Sequence, residues 1–359
     1  GSAAQAQWEA VFEEYSEKYP ELRALWDKYF DPKAAGELAD QEGFWPAVDK
    51  AEATRSSSGR QIQFIKDHLP NFIGGSADLA PSNKTYMEGA GDFSRDNYGG
   101  RNLHFGVREL AMTAISNGLM LHGGLRAFAA TFFVFSDYTK PMARLAALMG
   151  VPLTFVFTHD SIGVGEDGPT HEPIEQLAMF RSMPNFHVFR PADAAETAAA
   201  WESALKSTHT PTALVLSRQN LPQLAASGRE ALKGAYILED SVKEIPDAIL
   251  IATGSEVHLA VKAREILAGE GVDVRVVSMP SMDVFEEQSE AYREKVLPKA
   301  VRRRVAVEAL DGFGWERYVG LDGAVVAMER FGASAPAGQL FEKFGFTAER
   351  VADAVRGLM

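Results

Sequence analysis

The sequence predicts an α/β protein with two doubly wound domains whose sheets are mainly parallel. From residue 55 to about 220, short apolar runs alternate with helix-like stretches. A polar segment from Ala225 to Lys243 follows, and a second alternation then runs to the C-terminus. A chain of 359 residues is long enough for each domain to bury its own core. We therefore expect a first domain at 46–225 and a smaller second domain at 226–359.

The predicted strands are short and rich in β-branched and aromatic residues, and helix-like stretches separate them. In the first domain the strands are Phe72–Gly75, Leu103–Val107, Leu125–Thr131, Leu153–Phe157, His187–Phe189 and Ala213–Leu216. Its clearest helices are Arg108–Leu121 and Ser136–Met149. In the second domain the strands are Ala248–Ala252, Val272–Ser278, Arg304–Glu308 and Ala324–Ala327, with helices near Glu256–Ala268 and Ala348–Leu358.

Residues 1–45 differ from the rest of the chain. Aromatic and leucine side chains, from Trp8 to Trp26, recur near helical spacing among Glu and Lys, and Pro20 interrupts them. This pattern predicts one or two amphipathic helices that lead into the first domain.

Composition limits the partners of the chain. The 49 acidic against 36 basic residues give a net charge of −13, which disfavours nucleic acid and requires locally placed cations for any anionic substrate. No apolar run approaches the roughly 20 residues that span a bilayer, so we expect no membrane partner. The absence of cysteine excludes disulfides and thiolate metal sites, and it favours a cytoplasmic location.

Functional side chains follow five of the predicted strands in the first domain. The strand ends are Ser76-Ala77-Asp78, Arg108-Glu109, Thr131-Phe132, Thr158-His159-Asp160 and Ser217-Arg218. In open α/β sheets, ligands bind outside the carboxyl ends of the strands. Solvation alone explains one or two polar strand ends, but five that include cations, a carboxylate and an aromatic row predict one shared crevice.

Glu109 and the aromatic stripe after it each allow two interpretations. Glu109 begins a helix, where a carboxylate commonly complements the dipole, but apolar neighbours could instead make it a buried acid with a raised pKa. Phe132, Phe135 and Tyr138 recur every third residue, which fits either core packing or a flat wall for a heterocycle.

The segment THDSIGVGEDGPTHEP, residues 158–173, predicts a structured loop because two glycines and a Gly-Pro break any helical period. Its His159, Asp160, Asp167 and His171 could be metal ligands, but the two histidines are twelve residues apart, which matches no zinc spacing. Hydroxyl binding and proton transfer fit neutral imidazoles better, so we predict no metal site.

Donors for an anion occur at several separated positions, namely Arg55, Ser82, His159 and Arg218. Arginine suits phosphate because its guanidinium can bind two oxygens at once, although a lone arginine is more often part of a surface ion pair. A second candidate anion site, Gly254-Ser255-Glu256, is weaker because Glu256 would compete with the anion.

Six separated motifs resemble transketolase in order and spacing. They are GGSADLAPSN (74–83), FGVREL (105–110), LHGG (121–124), TFFVFSDY (131–138), residues 158–173 and LSRQNLP (216–222). In the second domain, ATGSEV and ERFGASAP (329–336) extend the resemblance. The resemblance implies the thiamine-diphosphate-binding fold for the first domain, with a pyrimidine site, and a transketolase C-terminal domain for the second.

The resemblance also implies roles for individual residues. Glu109 would hydrogen-bond the aminopyrimidine of thiamine diphosphate and promote deprotonation of the thiazolium carbon, and His171 would take part in catalysis. Phe132, Phe135 and Tyr138 would contact the pyrimidine, and Asp78 would lie near the thiazolium. Arg55, Ser82, His159 and Arg218 would bind the phosphate of the sugar, while Asp167 and His171 would contact its hydroxyls. The implied reaction transfers a two-carbon ketol unit from a ketose phosphate to an aldose phosphate.

One departure from the family pattern affects the expected activity. The Gly-Asp-Gly motif with a downstream Asn, which binds the diphosphate and its Mg²⁺ or Ca²⁺, is absent; Gly91-Asp92-Phe93 breaks it at the third position. We therefore expect residues 1–45 to be the tail of a diphosphate-binding domain that is supplied in cis or in trans, in a truncated chain rather than a naturally split subunit. The chain alone would have weak activity or none, and its partner would be a second copy in a homodimer.

Two other classes of protein share this architecture. A β subunit of a 2-oxoacid dehydrogenase lacks the same domain, although GEDGPTHEP and the pair Arg55 and Arg218 favour sugar phosphates. A non-catalytic dimerising fragment is the other alternative.

Overall fold

A six-stranded, fully parallel sheet forms the centre of the first half of the chain. The computed structural model describes all 359 residues. The strands of this sheet run in the order β2-β1-β3-β4-β6-β5, and every neighbouring pair is parallel. They are β1 Phe72–Ser76, β2 Asn102–His104, β3 Arg126–Phe132, β4 Thr154–Thr158, β5 His187–Phe189 and β6 Thr212–Leu216.

Helices cover both faces of this sheet. Successive strand residues point to opposite faces, so Val156 belongs to one apolar core while Phe155 and Phe157 belong to another. Burial on both sides is the physical reason for the nearly uninterrupted apolar runs in the sequence. The helices are α1 Ser2–Lys18, α2 Pro20–Phe30, α3 Thr54–His68, α4 Ala80–Asn83, α5 Glu109–His122, α6 Ser136–Met149, α7 Gln176–Arg181 and α8 Ala194–Lys206.

The second half of the chain forms a five-stranded mixed sheet in the order β11-β10-β8-β9-β7. Only β7 is antiparallel to its neighbour. The strands are β7 Tyr236–Glu239, β8 Ala248–Ala252, β9 Val274–Ser278, β10 Arg304–Asp311 and β11 Ala324–Met328. The helices are α9 Val257–Gly269, α10 Met282–Glu286, α11 Glu290–Val296, α12 Glu316–Val319, α13 Ala337–Lys343 and α14 Ala348–Arg356.

The predicted fold class is confirmed: both sheets are mainly parallel and helices connect their strands. The strand β7 lies inside the segment that the sequence analysis assigned to a polar linker, and it is an edge strand with only one neighbour. The strand β1 contains Gly75, where a Cβ atom would lie 1.9 Å from the Leu103 carbonyl oxygen of β2. Glycine is thus required for the close approach of these two strands.

The N-terminal residues form two helices that break before Pro20, as the sequence predicts. Neither helix has a buried residue; Trp8 is 54% exposed and Trp26 is 41% exposed. Residues 34–44 differ, because Leu38 and Phe44 pack in the same core as Trp201 of α8. The boundaries at residues 45 and 225 stay predictions. No helix combines the length and the apolar composition needed to cross a bilayer.

A buried arginine joins the two halves of the chain. Arg190, directly after β5, donates from Nε to Asp160 Oδ2 at 2.9 Å, and its Nη1 pairs with Glu256 beyond β8. Nη1 also donates to the Thr253 carbonyl at 3.0 Å. The candidate anion site at Gly254-Ser255-Glu256 is therefore not supported, since an arginine of the first half already neutralises Glu256, which is fully buried.

We predict that Arg190→Ala destabilises the chain by about 3–5 kcal/mol, because two buried carboxylates would lose their shared cation. Urea unfolding monitored by circular dichroism measures this change. The matched control is Arg302→Ala, whose exposed pair with Asp322 should contribute less than about 1 kcal/mol. Equal free energies of unfolding for wild type and Arg190→Ala would contradict a role for Arg190 in joining the domains.

Candidate active site

The carboxyl ends of β1, β3, β4 and β6 lie side by side at one edge of the first sheet. In register, Ser76 pairs with Ala130, Phe132 with Thr158, and Thr158 with Leu216. The side chains that follow these four strands are therefore brought to the same edge, as predicted, whereas Arg108-Glu109 comes after a short segment because β2 ends at His104 and not at Val107. The roles of the individual side chains stay predictions.

Glu109 is the first residue of α5 and is only 7% exposed. Thr131 Oγ1, at the end of β3, donates to Glu109 Oε1 at 3.3 Å, and no other side chain hydrogen-bonds the carboxylate. Glu109 thus starts a helix and is also buried, and its role stays a prediction. A buried carboxylate with spare acceptor capacity beside an aromatic strand end can bind a polar heterocycle.

Phe132 and Phe135 form an aromatic wall together with two histidines. The Phe132 and Phe135 rings are nearly parallel with centroids 5.9 Å apart, and the His159 ring lies 3.7 Å from that of Phe132. The His171 ring lies 5.5 Å from Phe135, edge to face. Tyr138 is 62% exposed and does not stack on these rings. Of the three regularly spaced aromatic residues, only Phe132 and Phe135 therefore form the wall.

A cationic pocket lies next to this wall. Arg55 Nη1 donates to the Ser82 carbonyl at 2.9 Å and lies 3.4 Å from His159 Nε2. Burial lowers the pKa of Arg55, and the nearby charge of Arg218 lowers it further. Neither Arg55 nor Arg218 forms a salt bridge with a carboxylate, and no acidic side chain opposes the lowering of the Arg55 pKa. An anionic group is the chemical complement of this pocket.

His159 is neutral in this setting. Burial lowers the pKa of His159 to about 3, and the charges of Arg55 and Arg218 add to the effect. The Thr158 hydroxyl donates its single hydrogen to Asn83 Oδ1 at 2.7 Å, and lies 2.7 Å from His159 Nδ1. We assign the hydrogen of the ring to Nδ1, because the hydroxyl can only accept there. Nε2 is then the acceptor that faces Arg55.

The sequence analysis named Ser76 and Thr158 as strand-end residues but missed Asn83 and Thr85, which join them in supporting this histidine. Asn83 Nδ2 donates to Ser76 Oγ at 3.1 Å, and Ser76 Oγ lies 2.7 Å from Thr85 Oγ1. All these side chains are buried, so each hydrogen bond avoids a desolvation cost of about 1–3 kcal/mol. Asn83 closes the motif GGSADLAPSN and could have been indicated by it, whereas nothing in the sequence marks Thr85.

Two residues of this edge have left-handed backbone conformations. Asp78 has φ 62° and His159 has φ 64°, which non-glycine residues rarely adopt. Such conformations cost about 1–3 kcal/mol and concentrate at functional sites. Asp78 lines a cavity of ≈ 350 Å³ together with Asn102 and His104. A separate cleft of ≈ 470 Å³, next to Met183 and Asp283, lies away from these side chains.

The loop at 158–173 contributes groups of different exposure. Asp167 is exposed, whereas His171 is half-buried with its Nδ1 2.9 Å from Thr170 Oγ1. Asp160 turns away from the pocket toward Arg190. His159 and Asp160 therefore point to different surroundings, and the four side chains considered as metal ligands, His159, Asp160, Asp167 and His171, do not converge on one point.

These features define a class of protein: a two-domain α/β chain with an acid, an aromatic wall and unpaired cations at the carboxyl edge of its first sheet. Residues 50–223 match the family described as "Transketolase, pyrimidine binding domain", and residues 234–347 match "Transketolase-like TK C-terminal domain". The chain is 53% identical to the transketolase of Bacillus subtilis over 368 residues, which covers 100% of this chain and 54% of that protein.

Solved structures agree with this result. The transketolase from Leishmania mexicana superposes with a TM-score of 0.94 at 44% identity, covering 99% of this chain and 52% of that one. A Pichia stipitis transketolase in complex with sedoheptulose-7-phosphate has a TM-score of 0.92 at 44% identity. The match covers 99% of this chain and 53% of that one.

The chain belongs to the transketolase family, whose members depend on thiamine diphosphate. This membership favours transketolase over the β subunit of a 2-oxoacid dehydrogenase among the sequence-based alternatives. The chain spans about half the length of the relatives that it matches.

Proposed function

We propose that this chain forms the pyrimidine-binding half of a thiamine diphosphate site and takes part in ketol transfer between sugar phosphates. The observation that carries the proposal is the position of Glu109, buried at the start of α5 with one hydrogen bond from Thr131. When bound, thiamine diphosphate supplies the carbon nucleophile of the reaction. Glu109 would hold the ring nitrogen of the pyrimidine and exchange a proton with it.

The rest of the strand-end site supports this assignment. Phe132 and Phe135 present a nearly parallel pair of rings on which a pyrimidine can rest and which excludes water. Tyr138 would contact the pyrimidine only at its exposed edge, and Asp78 would face the thiazolium side. The diphosphate and its Mg²⁺ or Ca²⁺ would be bound by a separate domain, in cis or in trans.

Sugar phosphates are the proposed substrates. Arg55 and Arg218 would bind the phosphate, with Ser82 fixing Arg55 through its carbonyl. Neutral His159 would line the phosphate site without adding charge, with its Nε2 accepting from Arg55. Asp167 and His171 would contact the sugar hydroxyls, and His171 would also be catalytic. The Pichia stipitis relative in complex with a seven-carbon sugar phosphate supports this class of substrate.

We also propose that the chain associates with a second copy through α5 and α6. Both helices expose apolar side chains: Ile115 is 51% exposed, Leu121 is 58% exposed and Leu148 is 70% exposed. An apolar face beside a binding site is typical of a subunit interface. Glu109 begins α5, so the interface would adjoin the cofactor site.

We predict that Glu109→Gln lowers exchange of the thiazolium proton by about 100-fold or more, because an amide cannot shuttle the proton. The measurement is hydrogen–deuterium exchange of bound cofactor by proton NMR, with the chain mixed with a diphosphate-binding domain of the family. Glu88→Gln, at an exposed carboxylate, is the control and should match wild type. Undiminished exchange in Glu109→Gln would refute the proposed role.

We expect Arg218→Ala to raise the KM for phosphorylated sugars about 10-fold or more and to leave the KM for unphosphorylated analogues nearly unchanged. Steady-state kinetics of the same two-component enzyme measure this. Arg302→Ala removes an exposed arginine of the second domain and serves as the control. An equal rise for both kinds of sugar would show that Arg218 has a structural role instead.

For the interface, Leu121→Glu should convert a dimer into a monomer, because a charge would be buried at an apolar contact. Sedimentation velocity at micromolar concentrations measures the change. Leu321→Glu, at a fully exposed leucine of the second domain, should leave the dimer intact. A wild-type chain that sediments as a monomer would contradict the proposed association.

A further inference from the structure

The C-terminal domain holds the loop at 158–173 at several points. At the start of the loop, Asp160 is bonded to Arg190, which also pairs with Glu256 of the second domain. In the middle, Ser334 Oγ donates to the Glu166 carbonyl at 2.5 Å. At the end, the Glu172 carboxyl group contacts Gly332, which belongs to the motif ERFGASAP at 329–336.

The contact at Glu172 is unusually close. Glu172 is 2% exposed, and a Cβ atom built on Gly332 would lie 1.7 Å from its Oε2. Only glycine therefore fits at position 332 while Glu172 keeps this position. Neither carboxylate oxygen has a hydrogen-bonding side chain. Burial raises the pKa of Glu172 to about 7, and the Ala333 amide only partly opposes this effect.

No charged side chain neutralises Glu172. The titratable residues next to Glu172 in the sequence are His171 and, just beyond the loop, Glu175, and neither forms an ion pair with it. On the facing segment the guanidinium of Arg330 lies 5.7 Å from the centroid of the Phe344 ring instead. The uncharged carboxyl is thus the form that this contact accommodates, since a carboxylate would be buried without a partner.

We propose that Glu172 is a positioning residue whose uncharged carboxyl holds the loop bearing Asp167 and His171 against residues 330–336 of the C-terminal domain. The second domain then takes part in sugar binding without touching the sugar. The functional consequence rests on the proposed ketol transfer, whereas the contact itself does not. Because His171 directly precedes Glu172 in the chain, loss of the contact displaces the imidazole that faces Phe135.

The sign of the pH dependence follows from the raised pKa of Glu172. A folded-state pKa of about 7, against an ordinary value of 4.5, means that the closed contact binds the proton more tightly than the open one. The stabilisation is present below about pH 4.5 and is lost as the pH rises through 7. Between pH 6 and pH 8.5 the open population should rise about 10-fold.

The first experiment is hydrogen–deuterium exchange with mass spectrometry on the isolated chain at pH 6 and pH 8.5. After correction for intrinsic rates, peptides covering 158–173 and 330–336 should lose about 10-fold in protection at the higher pH. Glu172→Gln should keep its protection at both values, because the amide does not ionise. The control Glu175→Gln should behave as wild type. Protection that is pH-independent in wild type, or equally pH-dependent in Glu172→Gln, would overturn the proposal.

A second variant tests the contact from the other side. Gly332→Ala should lower protection of 158–173 at both pH values while β1 and β3 peptides stay protected, because the added methyl displaces Glu172. Unchanged protection of the loop in this variant would also overturn the proposal.

The kinetic consequence is tested with the diphosphate-binding domain present. At pH 6, Glu172→Ala should raise the KM of sugar phosphates about 10-fold with a smaller change in kcat, and Glu172→Gln should restore the wild-type KM. Equal KM values in wild type and Glu172→Ala would overturn the positioning role. If even the wild type shows no ketol transfer, the proposed function fails, while the exchange experiment still decides whether Glu172 holds the loop.

Discussion

The parallel register of β1, β3, β4 and β6 is the constraint on which the rest of the site depends. Parallel strands end at a common edge, so an acid, an aromatic wall and two cations from distant parts of the sequence meet there. None of these groups is unusual alone. Their meeting creates a place where one face is apolar, one end is anionic and the other end lacks counterions, which suits a phosphorylated substrate beside a heterocyclic cofactor.

The second domain binds the first through buried ion pairs at the carboxyl end of its own sheet. In open α/β sheets the carboxyl ends of the strands are the usual place for a ligand. Here Arg190 pairs with Glu256 beyond β8, and Arg181 binds Glu308 of β10 at 2.7 and 2.8 Å. This domain thus uses the polar end of its sheet to bind the neighbouring domain. Arg190 also binds Asp160, at the start of the loop that carries Asp167 and His171.

Much of the fold was predictable. Strands that are buried on both faces appear in the sequence as continuous apolar runs, and polar residues mark where these strands end. The edge strand β7 was missed because an edge strand is half-exposed and its residues, Tyr236–Glu239, lie in a polar segment. The aromatic stripe crosses two elements: Phe135 ends the 3₁₀ turn Phe133–Phe135, whereas Tyr138 lies in α6 and is exposed.

The residues that support the site through hydrogen bonds were harder to predict than the candidate cofactor- and substrate-binding residues. Thr131, Asn83 and Thr158 act through tertiary hydrogen bonds that join positions up to 75 residues apart. Likewise, Glu172 and Gly332 become related only when the two domains pack. Local patterns describe a residue and its near neighbours, whereas these pairs depend on the folded arrangement of whole domains.

The most direct test of the central claim is a crystal structure of this chain with a diphosphate-binding domain and thiamine diphosphate. The account predicts that the pyrimidine rests against Phe132 and Phe135 with its ring nitrogen about 3 Å from the Glu109 carboxylate. A pyrimidine bound elsewhere, or a Glu109 side chain turned into solvent, would contradict it.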